Sequence, residues 1–130
     1  MGRLAEILVI DQFSRNIYRN DLKSFLYDPM ALVLAQETIR GNHHLNFEPK
    51  HKQFLYMPFM HSETLADQRS SVTLFQQLAQ EREYLSFVTH AIKHLEVIER
   101  FGRFPHRNVI LSRVSTPEET EFLSQRGSLF

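Results

Sequence analysis

Helix-breaking residues and apolar residues are spaced in this chain so that little except helix is open to it. In DPMALVLAQETIRGN, Asp28 is the expected N-cap, Pro29 takes the first helical position and Gly41 follows the last turn. Between them Ala31, Leu32, Ala35 and Ile39 repeat at helical spacing. EPKHKQFLYM predicts a helix from Pro49, which Pro58 should end or kink near Met57. Ser62 is placed to cap ETLADQRSSVTLFQQLAQ, whose apolar face is Leu65, Val72, Phe75 and Ala79. The longest pattern carries Tyr84, Val88, Ala91, Leu95 and Ile98, with Gly102 as its stop. Thr116 and Glu119 stand at capping-box spacing around Pro117. Only NVILSRV reads as a strand, and one short strand builds no sheet. The expectation is an all-α domain over 1–130, its helices joined by short loops and hence mostly antiparallel to their neighbours.

Charge and composition exclude several functions. Fifteen basic and fifteen acidic residues cancel, whereas a chain that binds phosphate backbones carries a basic surplus, so no nucleic-acid partner is expected. The absence of cysteine removes disulfides, thiolate metal sites and cysteine nucleophiles together. No apolar run approaches the ~20 residues that span a bilayer, and MGRLAEILVI lacks a signal-peptide cleavage site. The expected setting is cytoplasmic, without a membrane partner.

ILVIDQFSRN turns from aliphatic to polar within one predicted helix. At about 100° per residue, Leu4, Ile7, Leu8, Asp11, Arg15 and Tyr18 share a stripe, with Gln12 and Asn16 beside it. Ser14 falls with Arg3 and Glu6 on the expected solvent side. Asp11 and Arg15 are four apart and can pair. They either fasten neighbouring loops or floor a cleft; both readings need partners from elsewhere.

Two stretches could supply them. His61 precedes a helix start, where backbone N–H groups attract anions, with Glu63 close by and Gln68 and Arg69 on that helix's expected apolar side. ERFGRFPHRN gathers Arg100, Arg103, His106 and Arg107 around Phe101 and Phe104. Arginine forks match carboxylate or phosphate oxygens two at a time. Bridging to Asp11, Glu63 or Glu99 within the chain is the rival role. His90 and His94 are one helical turn apart, but two imidazoles without a third ligand make no metal site, and no cofactor is implied. There is no G-x-S-x-G turn, and four scattered glycines form neither a P-loop nor a dinucleotide fingerprint.

LAEILVIDQFSRNIYR, FLYMPFMHSETLADQ, RFGRFPHRN and STPEETEFLSQRGSLF, taken in this order, resemble a bacterial family known as domain of unknown function 924, across essentially the whole chain. The resemblance implies a tetratricopeptide-like, right-handed α-α superhelix and assigns no activity. It puts Asp11, Gln12, Phe13, Arg15 and Asn16 in a first motif, and Tyr56, Pro58, His61, Ser62, Glu63 and Gln68 in a second. The third is matched by His94 and by the run from Arg100 to Asn108. Ser14 stands where the family motif has proline, and Leu129 where its ending has serine. Family members also carry a helical segment ahead of LAEILVIDQF. The resemblance therefore implies the C-terminal major part of the family domain, with Leu4, Ile7 and Leu8 left as an open apolar patch through which copies associate.

Two functions fit these residues. One is a binding module that presents Asp11, Arg15, Asn16, His61, Glu63, Gln68, Arg103, His106, Arg107 and Asn108 to a small anionic ligand or an acidic peptide. The other is a small-molecule enzyme, hydrolytic in type, with His61 or His106 and Asp11 as acid–base groups.

Overall fold

The computed structural model describes residues 2–125, all helix and connecting turns, with no strand among the described residues. The first helical stretch is α1 (Gly2–Ile7), a π-helical segment (Leu8–Phe13) and α2 (Ser14–Ile17), followed by the short α3 (Lys23–Leu26). Four longer helices come next: α4 (Asp28–Arg40), α5 (Pro49–His61), α6 (Leu65–Leu78) and α7 (Leu85–Phe101). A 3-10 turn at Pro105–Arg107 leads on to α8 (Pro117–Ser124). Helices adjacent in sequence are neighbours in space: α5 packs on α6, α6 on α7, and α4 lies against both α1 and α5.

Local chemistry explains most boundaries. The capping box at α8 is complete, Thr116 Oγ1 accepting from Glu119 N while the Glu119 carboxylate accepts from Thr116 N. Gly102 closes α7 at φ 72°, a left-handed conformation that costs other residues a steric penalty. Pro58 does not end α5, which runs on to His61. One missing N–H near a helix end removes a single bond, and Leu55, Tyr56, Phe59 and Met60 are buried around it. The N-cap of α6 is Thr64 rather than Ser62; the Ser62 hydroxyl accepts from Thr64 N and donates to Asp67. Asp28 is likewise inside α4 and not its cap, because its carboxylate is drawn to Arg15. NVILSRV is turn, with Val109 and Val114 exposed, since no neighbouring strand offers its backbone a ladder.

The main core joins Leu4, Ile7, Ala35, Leu55, Tyr56, Phe59, Phe75, Leu78, Tyr84 and Ala91. Phe75 holds its centre, edge-on to Tyr56 at 5.8 Å and stacked on Phe87 at 5.6 Å. Val97, Ile98 and Phe104 form a second cluster. Leu4 and Ile7 thus belong to the core and Leu8 packs against it, so they form no open patch. The exposed apolar stripe on the first helix is Val9, Phe13 and Ile17. Ser14 is buried rather than solvent-facing, its hydroxyl donating back to the Val9 carbonyl at 3.3 Å. The terminal stretch that contains Leu129 lies outside the described residues.

Candidate functional site

Asp11 sits in the π-helical segment and is 0% exposed. Such wide turns are rare and recur at functional sites, because they re-aim a side chain inside an otherwise regular helix. Here the carboxylate is carried to the last residue of α5, with Asp11 Oδ1 2.7 Å from His61 Nδ1. Gln12 Nε2 donates to its other oxygen at 2.5 Å, and Arg15 Nη1 stands 3.6 Å from Oδ1. Burial works to raise the Asp11 pKa, but the imidazole, its hydrogen bond and the Arg15 charge outweigh it, and the pKa is lowered. Burial lowers that of His61, with the Asp11 charge opposing and Arg15 adding to the fall. The pair is therefore a carboxylate facing a neutral imidazole. A carboxylate only accepts, so the imidazole proton lies on Nδ1 and Nε2 keeps its lone pair.

Charged side chains close around this pair. Arg15 forks onto Asp28 at 2.7 and 2.8 Å. Arg107, 6% exposed, is sandwiched between the rings of Phe25 and Phe104 at 4.5 and 4.7 Å. Its Nη2 donates to the His61 carbonyl at 2.8 Å, while Nη1 lies 3.9 Å from both Asp28 and Glu63. Burial first, then Arg15, pulls the Arg107 pKa down to about 10, so it stays charged at neutral pH. Glu63 accepts from Phe104 N at 2.6 Å and from Arg113 at 3.0 and 3.2 Å. Burial favours its protonated form, but the Arg113 and Phe104 hydrogen bonds prevail and its pKa is lowered.

Two recesses meet at this junction and share Phe25, His61 and Arg107. One, of about 380 Å³, is walled by Asp28, Leu32, Pro58, Ser62, Glu63 and Thr64. The other, of about 310 Å³, is walled by Arg15, Met57, Met60 and Phe87 with His90, His94 and His106. Burial pushes His94 and His106 down to about 4, with the neighbouring positive charge of Arg107 contributing to both. A single imidazole base, oriented by a buried acid and open to two cavities, can take a proton from water or substrate and return it. Among the described residues no three His, Asp or Glu side chains are grouped to hold a metal ion. His94 Nδ1 is 2.6 Å from the His90 carbonyl.

Of the ten residues assigned to a ligand site from sequence, Asp11, Arg15, His61, Glu63, His106 and Arg107 converge here. The other four do not line the recesses. Asn16 is exposed. Gln68 is buried and donates its amide to the carbonyls of Met60 and Ser62, tying the end of α5 to α6. Arg103 forks onto Glu119 at 2.9 and 2.8 Å, and Asn108 links Glu119, Ser115 and Arg113. Arg69 is exposed rather than on the apolar side of α6. Sequence reasoning missed Phe25, Arg113 and the role of Asp28. Its capping position hid Asp28, and nothing in the local pattern marks the other two.

These features define a class: an all-helical protein with a buried carboxylate–imidazole pair between two recesses. The chain matches the family described as "Bacterial protein of unknown function (DUF924)" over residues 1–127, and it belongs to that family. It is similar to the solved structure of the protein of unknown function ATU0120 from Agrobacterium tumefaciens, at 40% identity and a TM-score of 0.87. The match covers 94% of this chain and 66% of that one, so the chain spans just under two thirds of the solved protein's length. No curated protein matches.

Proposed function

We propose that the protein is a cytoplasmic small-molecule hydrolase on a tetratricopeptide-like scaffold, with His61 as general base and Asp11 as the carboxylate that orients it. One observation carries this reading: His61 Nδ1 is held 2.7 Å from a fully buried Asp11 while the ring lines both recesses. In the reaction His61 Nε2 takes a proton from water as the water oxygen bonds to the acyl carbon of an ester or amide. The same proton then passes to the leaving oxygen or nitrogen as its bond to that carbon breaks, giving an acid and an alcohol or amine. The serial packing of neighbouring helices supports the scaffold.

The test is a panel of chromogenic esters and anilides, assayed with the wild type and His61→Gln. Turnover that His61→Gln lowers by about 10²–10⁴-fold is expected for a positioned acid–base group. Equal rates in both proteins, or none in either, would overturn the proposal.

A second reading, a binding module for a small anion or acidic peptide, is favoured by Arg107, whose buried Nε has no hydrogen-bond partner among the described residues. It is the weaker one, because Arg15, Arg103 and Arg113 are each forked onto a carboxylate. Acetate, phosphate and a poly-glutamate peptide should leave the melting temperature unchanged; a saturable rise with any of them would restore this reading.

A further inference from the structure

Charge is closed at the junction of the two recesses. Arg15 is answered by Asp28, Arg113 by Glu63, and Arg107 stands midway between those two carboxylates. Asp11, the third acid, faces His61 and Arg15. Three guanidinium groups and three carboxylates therefore balance, and the imidazoles of His94 and His106 are neutral at physiological pH. A charged ligand entering this space would lose its hydration without gaining an unanswered counter-charge, the costly case for burial. Arg107 is also no mobile clamp: two aromatic rings fix its plane and the His61 carbonyl holds its Nη2.

Beside its histidines and arginines, the recess of about 310 Å³ is lined by the apolar side chains of Met57, Met60, Phe25 and Phe87. Methionines adapt to irregular apolar shapes, and aromatic rings favour a flat partner. At about 30 Å³ per water, the space equals roughly ten waters, or a ligand of about a dozen non-hydrogen atoms.

From this arrangement we infer that the Met57, Met60, Phe25 and Phe87 recess binds an uncharged amphipathic molecule, its apolar body among those side chains and its acyl group at His61. The inference rests on the hydrolase reading for the placement of the acyl group and extends it to substrate class.

Three near-isosteric probes separate the cases: phenylacetamide, phenylacetate and phenethylammonium, titrated by protein-observed NMR at pH 7.5. The amide is expected to bind at least tenfold more tightly than either ion, with shifts at Met57, Met60 and Phe87. Met57→Trp, which fills the recess, should weaken it by tenfold or more while its melting temperature stays near that of the wild type. Phe25→Ala, at a partly exposed wall, should weaken it by a smaller factor and serves if Met57→Trp fails to fold. A preference for either ion, no binding of the amide, or binding that neither substitution weakens would overturn the inference. His61→Gln should keep most of the amide affinity. Amide binding in a wild type that turns over no ester removes the hydrolase reading and leaves the uncharged-ligand inference standing, so the two failures are distinct.

Discussion

Two buried carboxylates in this molecule do different work. Glu119 accepts from Arg103 Nε and Nη2, Asn108 Nδ2 and Thr116 N, and these four donors leave no position open. Its pKa falls to about 2, the Arg103 hydrogen bonds being the largest cause. Asp11 accepts from Gln12 and His61, and His61 in turn lines two cavities. Both look alike in sequence, an acid near arginines. The first is saturated and fastens α8 to the loop after α7. The second is left one step short of closure, and that step is where chemistry can occur.

Breaking each cluster should give opposite signatures. Asp11→Asn keeps an acceptor for His61 Nδ1 but removes the charge, and should lower kcat/KM toward any ester found by the panel by about 10²–10⁴-fold, or ~3–5 kcal/mol. Its urea-unfolding midpoint should move little. Glu119→Ala should reverse that pattern, costing about 3 kcal/mol in urea unfolding because buried donors on Asn108 and Thr116 lose their acceptor. Its kcat/KM should stay within twofold. If both substitutions cost activity equally, the contrast between the clusters fails.

Acid sharpens the same contrast. His94 and His106 are neutral in the fold to about pH 4 but protonate in the unfolded chain near 6.5, so the unfolded state binds more protons between those values. Stability should fall there as pH drops, by up to ~1.4 kcal/mol per pH unit for each. Glu119 acts in a lower window: its contribution is complete above about 4.5 and fades as pH falls toward 2. Unfolding curves from pH 7 to 3 should show the histidine loss first, and Glu119→Ala should flatten only the lower part. The smallest effect belongs to the exposed stripe. Ile17→Glu should change stability by less than ~0.5 kcal/mol, and if copies associate through this stripe it should lower the concentration dependence of the sedimentation coefficient.

Helix content was legible because caps and periodicity act locally: the α8 capping box and the Gly102 stop need only residues a few positions apart. Asp11, His61 and Arg107 could be suspected, since polar groups within apolar stretches need partners. Which acid would answer which arginine was not legible. Arg15 had Asp11 one turn away but forks onto Asp28, and Arg103 had Glu99 nearby but pairs with Glu119. Those choices rest on tertiary distances that no spacing rule encodes. The π-helical segment was missed for a similar reason, because a wheel drawn at one fixed angle has no place for a wider turn.

That segment makes the site depend on a count of residues as well as on their kind. Removing one residue between Leu8 and Phe13 would let the coil tighten to ordinary pitch, so that the two ends of the helix stay nearly in phase while the residues of the segment itself are re-aimed. Such a deletant could keep the whole set of acids, arginines and histidines, and its carboxylate would still point past the imidazole it now meets.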